Sequence, residues 1–161
     1  MYQKDFIPIV LKVKFESEKP LPVEKWEKLF SDLLLAYAQG IAKKSDCVIG
    51  HIKALAEIDE FSYIKFSCIN ALAGVKHEFH GEHQNIYKIN MVINSLVTNM
   101  GVLESRKLLN QSWLLTMNPE ENIIMEIADE TSESQVEHHH HKENEPCPIC
   151  EKHHDHEHHI R

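Results

Sequence analysis

Residues 147–159 read Cys-Pro-Ile-Cys-Glu-Lys-His-His-Asp-His-Glu-His-His. Cys147 and Cys150 stand three positions apart, a spacing at which a tight turn aims both thiolates at one ion. Imidazoles from His153, His154, His156, His158 and His159 follow closely enough to complete four-coordination without help from elsewhere in the chain. One workable tetrahedral set is Cys147, Cys150, His154 and His158. The surplus of imidazoles allows several sets to interconvert, which suits loading and release better than a fixed structural site. A second block, His138, His139, His140 and His141, adds four more imidazoles. Neighbouring acids (Glu143, Glu145, Glu151, Asp155, Glu157) raise the local cation concentration and favour imidazole protonation.

Donor chemistry narrows the ion. Imidazole suits Ni²⁺, Zn²⁺, Co²⁺ and Cu²⁺, thiolate favours Zn²⁺ and Cu⁺, and Ca²⁺ and Mg²⁺ prefer oxygen. The mixed set places nickel and zinc ahead of cobalt and copper. Binding requires neutral imidazole and thiolate, so it should fail below about pH 6.

The last 25 residues, Glu137 to Arg161, resemble the His-rich tails of nickel and zinc metallochaperones, including accessory proteins that mature hydrogenase and urease. The resemblance is compositional. It implies metal handling, with a protein partner that receives the metal, and not common descent. Three other readings of these residues stand beside it. His138–His141 could be a purification tag, although twenty residues follow it. Cys147-Pro-Ile-Cys150 could be a redox pair, although such pairs open a helix and these flanks are polar. The two cysteines could also hold an inert structural zinc, making the protein an interaction module.

Composition separates this segment from the rest. Residues 129–161 carry 3 Lys/Arg and 9 Asp/Glu, a net of −6, whereas residues 1–128 carry 14 and 16, a net of −2. The same 33 residues hold 9 of the 13 histidines, and their aliphatic side chains are Val136, Ile149 and Ile160. So little apolar surface cannot offset the entropy of ordering, so the tail is expected to be disordered without metal. The expected organisation is a globular domain, 1–128, followed by an acidic metal-binding tail, 129–161.

A second cluster lies inside the domain. His77-Glu-Phe-His80-Gly-Glu-His83 places three histidines within seven residues. On a strand, His77 and His80 face opposite ways, but a turn at Gly81 could fold His83 back beside His80. That would make an ordered metal site, either an acceptor for the tail or the centre of a metal-dependent enzyme. The plainer reading is solvent-facing histidines at a strand edge. Cys47 and His51 are a loose pair at another strand, and Cys68 reads as a small core residue. No Gly-x-Ser-x-Gly, His-Glu-x-x-His, P-loop or glycine-rich cofactor fingerprint occurs, so an accessory protein is favoured over an enzyme.

Periodicity supplies the elements that must hold these residues. Ile7, Ile9, Leu11, Val13 and Phe15 alternate with Lys12, Lys14 and Glu16, the pattern of a half-buried strand, with Pro8 suited to an edge or to its beginning. Val23, Trp26, Phe30, Leu33, Leu34, Tyr37 and Ile41 predict an amphipathic helix over 22–44. Its wide apolar stripe leaves room for a homodimer, and Gly40 could fray its end. Residues 47–58, 63–69 and 75–80 predict three further strands in a meander. Ile86, Ile89, Ile93, Leu96, Val97, Met100 and Leu103 fit a long helix with a weak point near Gly101; a strand followed by a helix over 102–116 is the alternative. Ile123 to Ala128 could add a short last strand. The expected fold is α+β, an open antiparallel sheet of four or five strands with two helices on one face, in the order β-α-β-β-β-α.

The overall charge of −8 and pI near 5.9 argue against nucleic-acid binding. No apolar run approaches the roughly 20 residues that span a bilayer, and no charged-then-apolar leader opens the chain. A cytoplasmic protein without membrane contact is the expectation.

Overall fold

A computed structural model of the chain describes residues 5–129. β1 (Phe6–Pro22) runs into α1 (Val23–Ala42), and three strands follow: β2 (Ile49–Glu57), β3 (Tyr63–Cys68) and β4 (Lys76–His80). Then come β5 (Asn85–Thr98), α2 (Val102–Thr116), a single 3₁₀ turn at Pro119–Glu121, and β6 (Ile123–Ile127). Six strands form one sheet in the order β4-β3-β2-β5-β1-β6, and every neighbouring pair is antiparallel. The α+β class, the open antiparallel sheet and the two helices are as expected. The strand count and element order are not, because β5 and β6 are both strands of the sheet.

The region 86–103 is the main correction. A long helix was favoured there, yet the alternative, a strand followed by a helix over 102–116, is what forms: residues 85–98 make β5 and the helix runs over Val102–Thr116. The reason is its position. β5 lies between β1 and β2 and pairs with both, so its backbone groups are satisfied by neighbours on each side, and its β-branched residues suit that ladder. Ile89, Met91, Ile93, Ser95 and Val97 are buried at every second position, with Asn90 and Asn94 exposed between them. Asn99 then adopts a left-handed conformation (φ 55°), which Asn tolerates, and the chain turns into α2.

One face of the sheet is covered. Ile9, Leu11, Val13 and Phe15 of β1, Ile52, Ala54 and Ala56 of β2, and Ile64, Phe66 and Cys68 of β3 are buried together with the β5 set. α1 lays Val23, Trp26, Phe30, Leu33, Leu34, Tyr37 and Ile41 against them, so the apolar stripe that suggested a homodimer is spent within the chain. α2 packs on the same face, since the Phe15 ring meets Phe30 of α1 at 4.7 Å and Trp113 of α2 at 5.5 Å. Gly40 has a packing reason and not a fraying one: a Cβ there would sit 2.5 Å from Leu108 Cδ1, so glycine lets the two helices approach.

α2 is an unusual helix. It buries Ser105, Leu109, Ser112 and Trp113 and leaves Leu103, Leu114 and Leu115 exposed. Both buried serines are hydrogen-bonded. Ser112 Oγ donates to Leu108 O at 2.8 Å within the helix, while Ser105 Oγ bonds to the Tyr37 hydroxyl, which also lies 3.3 Å from Ser95 Oγ, a polar knot joining α1, β5 and α2 inside the core. Burial pushes the Tyr37 phenol above its ordinary range. Trp26 Nε1 donates to Ile86 O at 3.1 Å, so this indole also has its partner. At the end of the domain Ala128 N donates to Lys12 O at 2.8 Å, and Arg106 donates to Ala128 O.

Tyr37→Phe leaves the Ser95 and Ser105 hydroxyls buried without their shared partner. We expect a loss of about 1–3 kcal/mol, read as a lower urea midpoint with unchanged slope; a midpoint equal to that of the parent chain would show that the knot is energetically idle.

Candidate functional site

The tail ligands His138–His141, Cys147, Cys150, His153, His154, His156, His158 and His159 lie outside the described residues. His77, His80 and His83 lie within them, on β4 and the turn that follows. β4 is the short edge strand of the sheet. His77 faces α1: its Nε2 lies 2.9 Å from Glu27 Oε2 and its Nδ1 lies 3.3 Å from Ser31 Oγ. His80, pairing with Tyr63, faces the other way and stacks on the Tyr63 ring at 4.8 Å and 23°. Its Nε2, covered by protein, approaches Glu78 Oε1 at 3.2 Å outside a hydrogen-bonding direction.

Gly81 makes the expected turn (φ 134°), where a Cβ would collide with Ser62 Oγ at 2.4 Å. The turn does not bring His83 to His80. It carries His83 to the helix side, where Nδ1 lies 2.9 Å from Glu24 Oε1 and the ring 5.4 Å from Phe79. Strand alternation thus separates His77 from His80, and each histidine takes its own carboxylate. Among the described residues no group of three or more His, Cys, Asp or Glu side chains converges as a metal ligand set.

Glu24 and Glu27 sit three apart on α1, hence on one side of the helix, and clasp the edge strand through two histidines. Sequence reading missed these partners because it cannot say which helix lies beside β4. With His83 and Glu24 both largely exposed, that clasp contributes at most about 1 kcal/mol.

Cys47 and His51 do not form a pair on one strand face. Cys47 precedes β2, and the β2–β5 register shifts between Ile49 and His51, which breaks the alternation assumed for residues 47–58. Cys47 Sγ donates to Asn99 O at 3.5 Å, and burial together with Asp46 pushes its thiol above the usual range. A raised thiol pKa means less thiolate at a given pH, the opposite of an activated nucleophile. Cys68 is buried in the core, donates to Asn70 O at 3.2 Å, and is likewise raised by burial.

The other face of the sheet carries no helix among the described residues. Register places Asn94, Lys53, Ser67 and Lys76 in one row across β5, β2, β3 and β4, and Val92, Leu55, Lys65 and Glu78 in the next. These rows line a hollow of about 710 Å³. Its floor is Leu55 and Val92, both half-buried, and lysines stand around it. That Lys53 points outward was legible from alternation; that three lysines meet there required the strand order.

No family model matches the chain, and no curated protein or solved structure is significantly similar to it.

Two measurements check this geometry. Replacing His77, His80 and His83 together by Ala should leave the metal stoichiometry of the full chain unchanged after loading and desalting, by elemental mass spectrometry; loss of one equivalent would restore a site at 77–83. Iodoacetamide labelling followed by peptide mapping should modify Cys47 more slowly than a free cysteine at pH 8, and Cys68 only on unfolding; rapid labelling of Cys47 would contradict its raised thiol.

Proposed function

We propose that this protein is a cytoplasmic transition-metal accessory protein. Its tail captures Ni²⁺ or Zn²⁺ and its folded domain presents the loaded chain to a protein partner. One observation carries the reading: nine imidazoles and a Cys-x-x-Cys pair fall within 33 residues that have almost nothing apolar to bury. The domain lends support by contrast. His51 lies on β2, and its other three histidines fall on β4 and the turn after it, with no set of three donors converging among the described residues; its two thiols are pushed away from the thiolate form.

The roles follow from donor chemistry. Cys147 and Cys150 supply thiolates that hold zinc well, and His153, His154, His156, His158 and His159 supply borderline nitrogen donors suited to nickel and zinc alike. His138–His141 add a reserve of imidazoles. Redundant donors keep any single bond dispensable, so an ion can pass stepwise to a partner's ligands. The acids around them concentrate cations electrostatically. A metal-dependent enzyme centred on 77–83 is the weaker reading, because no two of its three histidines share a carboxylate.

Calorimetric titration of the full chain, purified without an affinity column, is expected to show more than one equivalent of Ni²⁺ or Zn²⁺ bound at pH 7.5, and binding should be lost as pH falls below about 6 because imidazoles protonate. Cys147→Ser with Cys150→Ser should remove the thiolate-to-metal charge-transfer band of the cobalt-loaded chain while leaving part of the nickel capacity. A single zinc that exchanges slowly, vanishes in this double variant, and is not replaced by nickel would identify a static zinc knuckle instead.

A further inference from the structure

We propose that the sheet face opposite α1 and α2 is a docking surface for an acidic peptide segment, bearing an apolar side chain, of a partner protein. The inference rests on the accessory-protein reading for its biological sense, since delivery needs a partner, but its physical basis is separate from the tail. Lys53 on β2 and Lys76 on β4 both flank Ser67 in register. Two strand spacings put their backbones about 10 Å apart. Lys65 lies one strand row away, 5.5 Å over the Tyr63 ring. Among the described residues neither Lys53 nor Lys76 has a carboxylate partner, whereas Lys25, Lys28, Lys44 and Lys88 each have one. Glu78, the acid lining the hollow, points to His80 instead.

Unpaired cations around a floor of Leu55 and Val92 select a ligand that is both anionic and apolar. Alternate residues of an extended peptide lie about 7 Å apart on one side, so a leucine flanked two residues away on each side by glutamate can drop onto the floor while the carboxylates reach lysine side chains spread around it. A nucleic acid is a poorer fit. It needs a continued basic track, and here Glu57 and Glu78 interrupt the patch on a chain of net charge −8. A second copy of the chain is also disfavoured, because face-to-face pairing would bring like lysine clusters together.

The test is fluorescence anisotropy of the full chain, kept in chelator, with a labelled eight-residue peptide in which glutamate and leucine take turns at every second position and serine fills the positions between. Saturable binding is expected. It should weaken at least about tenfold in Lys53→Glu with Lys76→Glu, weaken in Leu55→Gln, and weaken on raising salt from about 50 to about 300 mM. Lys107→Glu on exposed α2 should stay within about twofold of the parent chain. Far-UV circular dichroism verifies that each variant folds. The proposal is overturned if binding is not saturable, if Lys107→Glu weakens it equally, if a glutamate–serine peptide binds as well, or if single-stranded DNA of the same charge binds more tightly. Chelator keeps the outcomes separate: peptide binding with no metal capacity refutes the tail reading alone, and metal capacity with no peptide binding refutes this one alone.

Discussion

A six-stranded sheet must hide its apolar side, and in this chain that task falls mainly to one helix. α1 reaches its place because Phe30 sits at the centre of a ring cluster. It lies 4.7 Å from Phe15, 5.5 Å from Trp26 and 6.0 Å from Phe66. Those contacts join β1, α1 and β3, and through Phe15 they extend to Trp113 on α2. Buried aromatic pairs add about 0.5–1.5 kcal/mol beyond the area they hide, so this cluster fixes the angle at which the helix crosses the sheet. With α1 committed to one side, the opposite side is left to polar rows and half-buried aliphatics. The asymmetry of the sheet is therefore a consequence of how its one apolar side is closed.

Much of the framework was legible from side-chain alternation. β1 and β3 show period two in the sequence and buried alternate residues in the structure, and α1 falls within a residue or two of its apolar stripe. Residues 85–98 were legible only as one of two alternatives, with the helix favoured, because Ile86, Ile89, Ile93 and Val97 satisfy a helical spacing as well as a strand's. What decides between them is hydrogen bonding to β1 and β2, which a one-dimensional pattern does not contain. The same limit governs the candidate site. That His77 and His80 face opposite ways follows from alternation alone, whereas the contacts of His83 with Glu24 and of His77 with Glu27 depend on which helix lies beside the edge strand. The reversed character of α2 has in part a similar origin: Ser105 is buried as a partner of Tyr37, a demand arising on a different element.

In the proposed reading, labour divides between two kinds of chemistry. In the folded part His77, His80 and His83 each lie beside a different carboxylate, and burial pushes both thiols above their ordinary range, so little among these groups competes for soft or borderline ions. Residues 129–161 hold the donors at high density. Such a division would let metal capacity vary with donor number.

The placement of β1 has a further consequence, for how the domain assembles. β1 is made first, yet it pairs with β5, whose residues come some eighty positions later, and with β6, the last strand of the domain. Nearly all of its ladder is therefore non-local, a topology that slows folding because long loops must close before any pairing is rewarded. During synthesis the apolar row Ile9, Leu11, Val13 and Phe15 must wait, exposed, until the distal strands emerge. That interval is when the nascent chain is most open to misassembly with its neighbours.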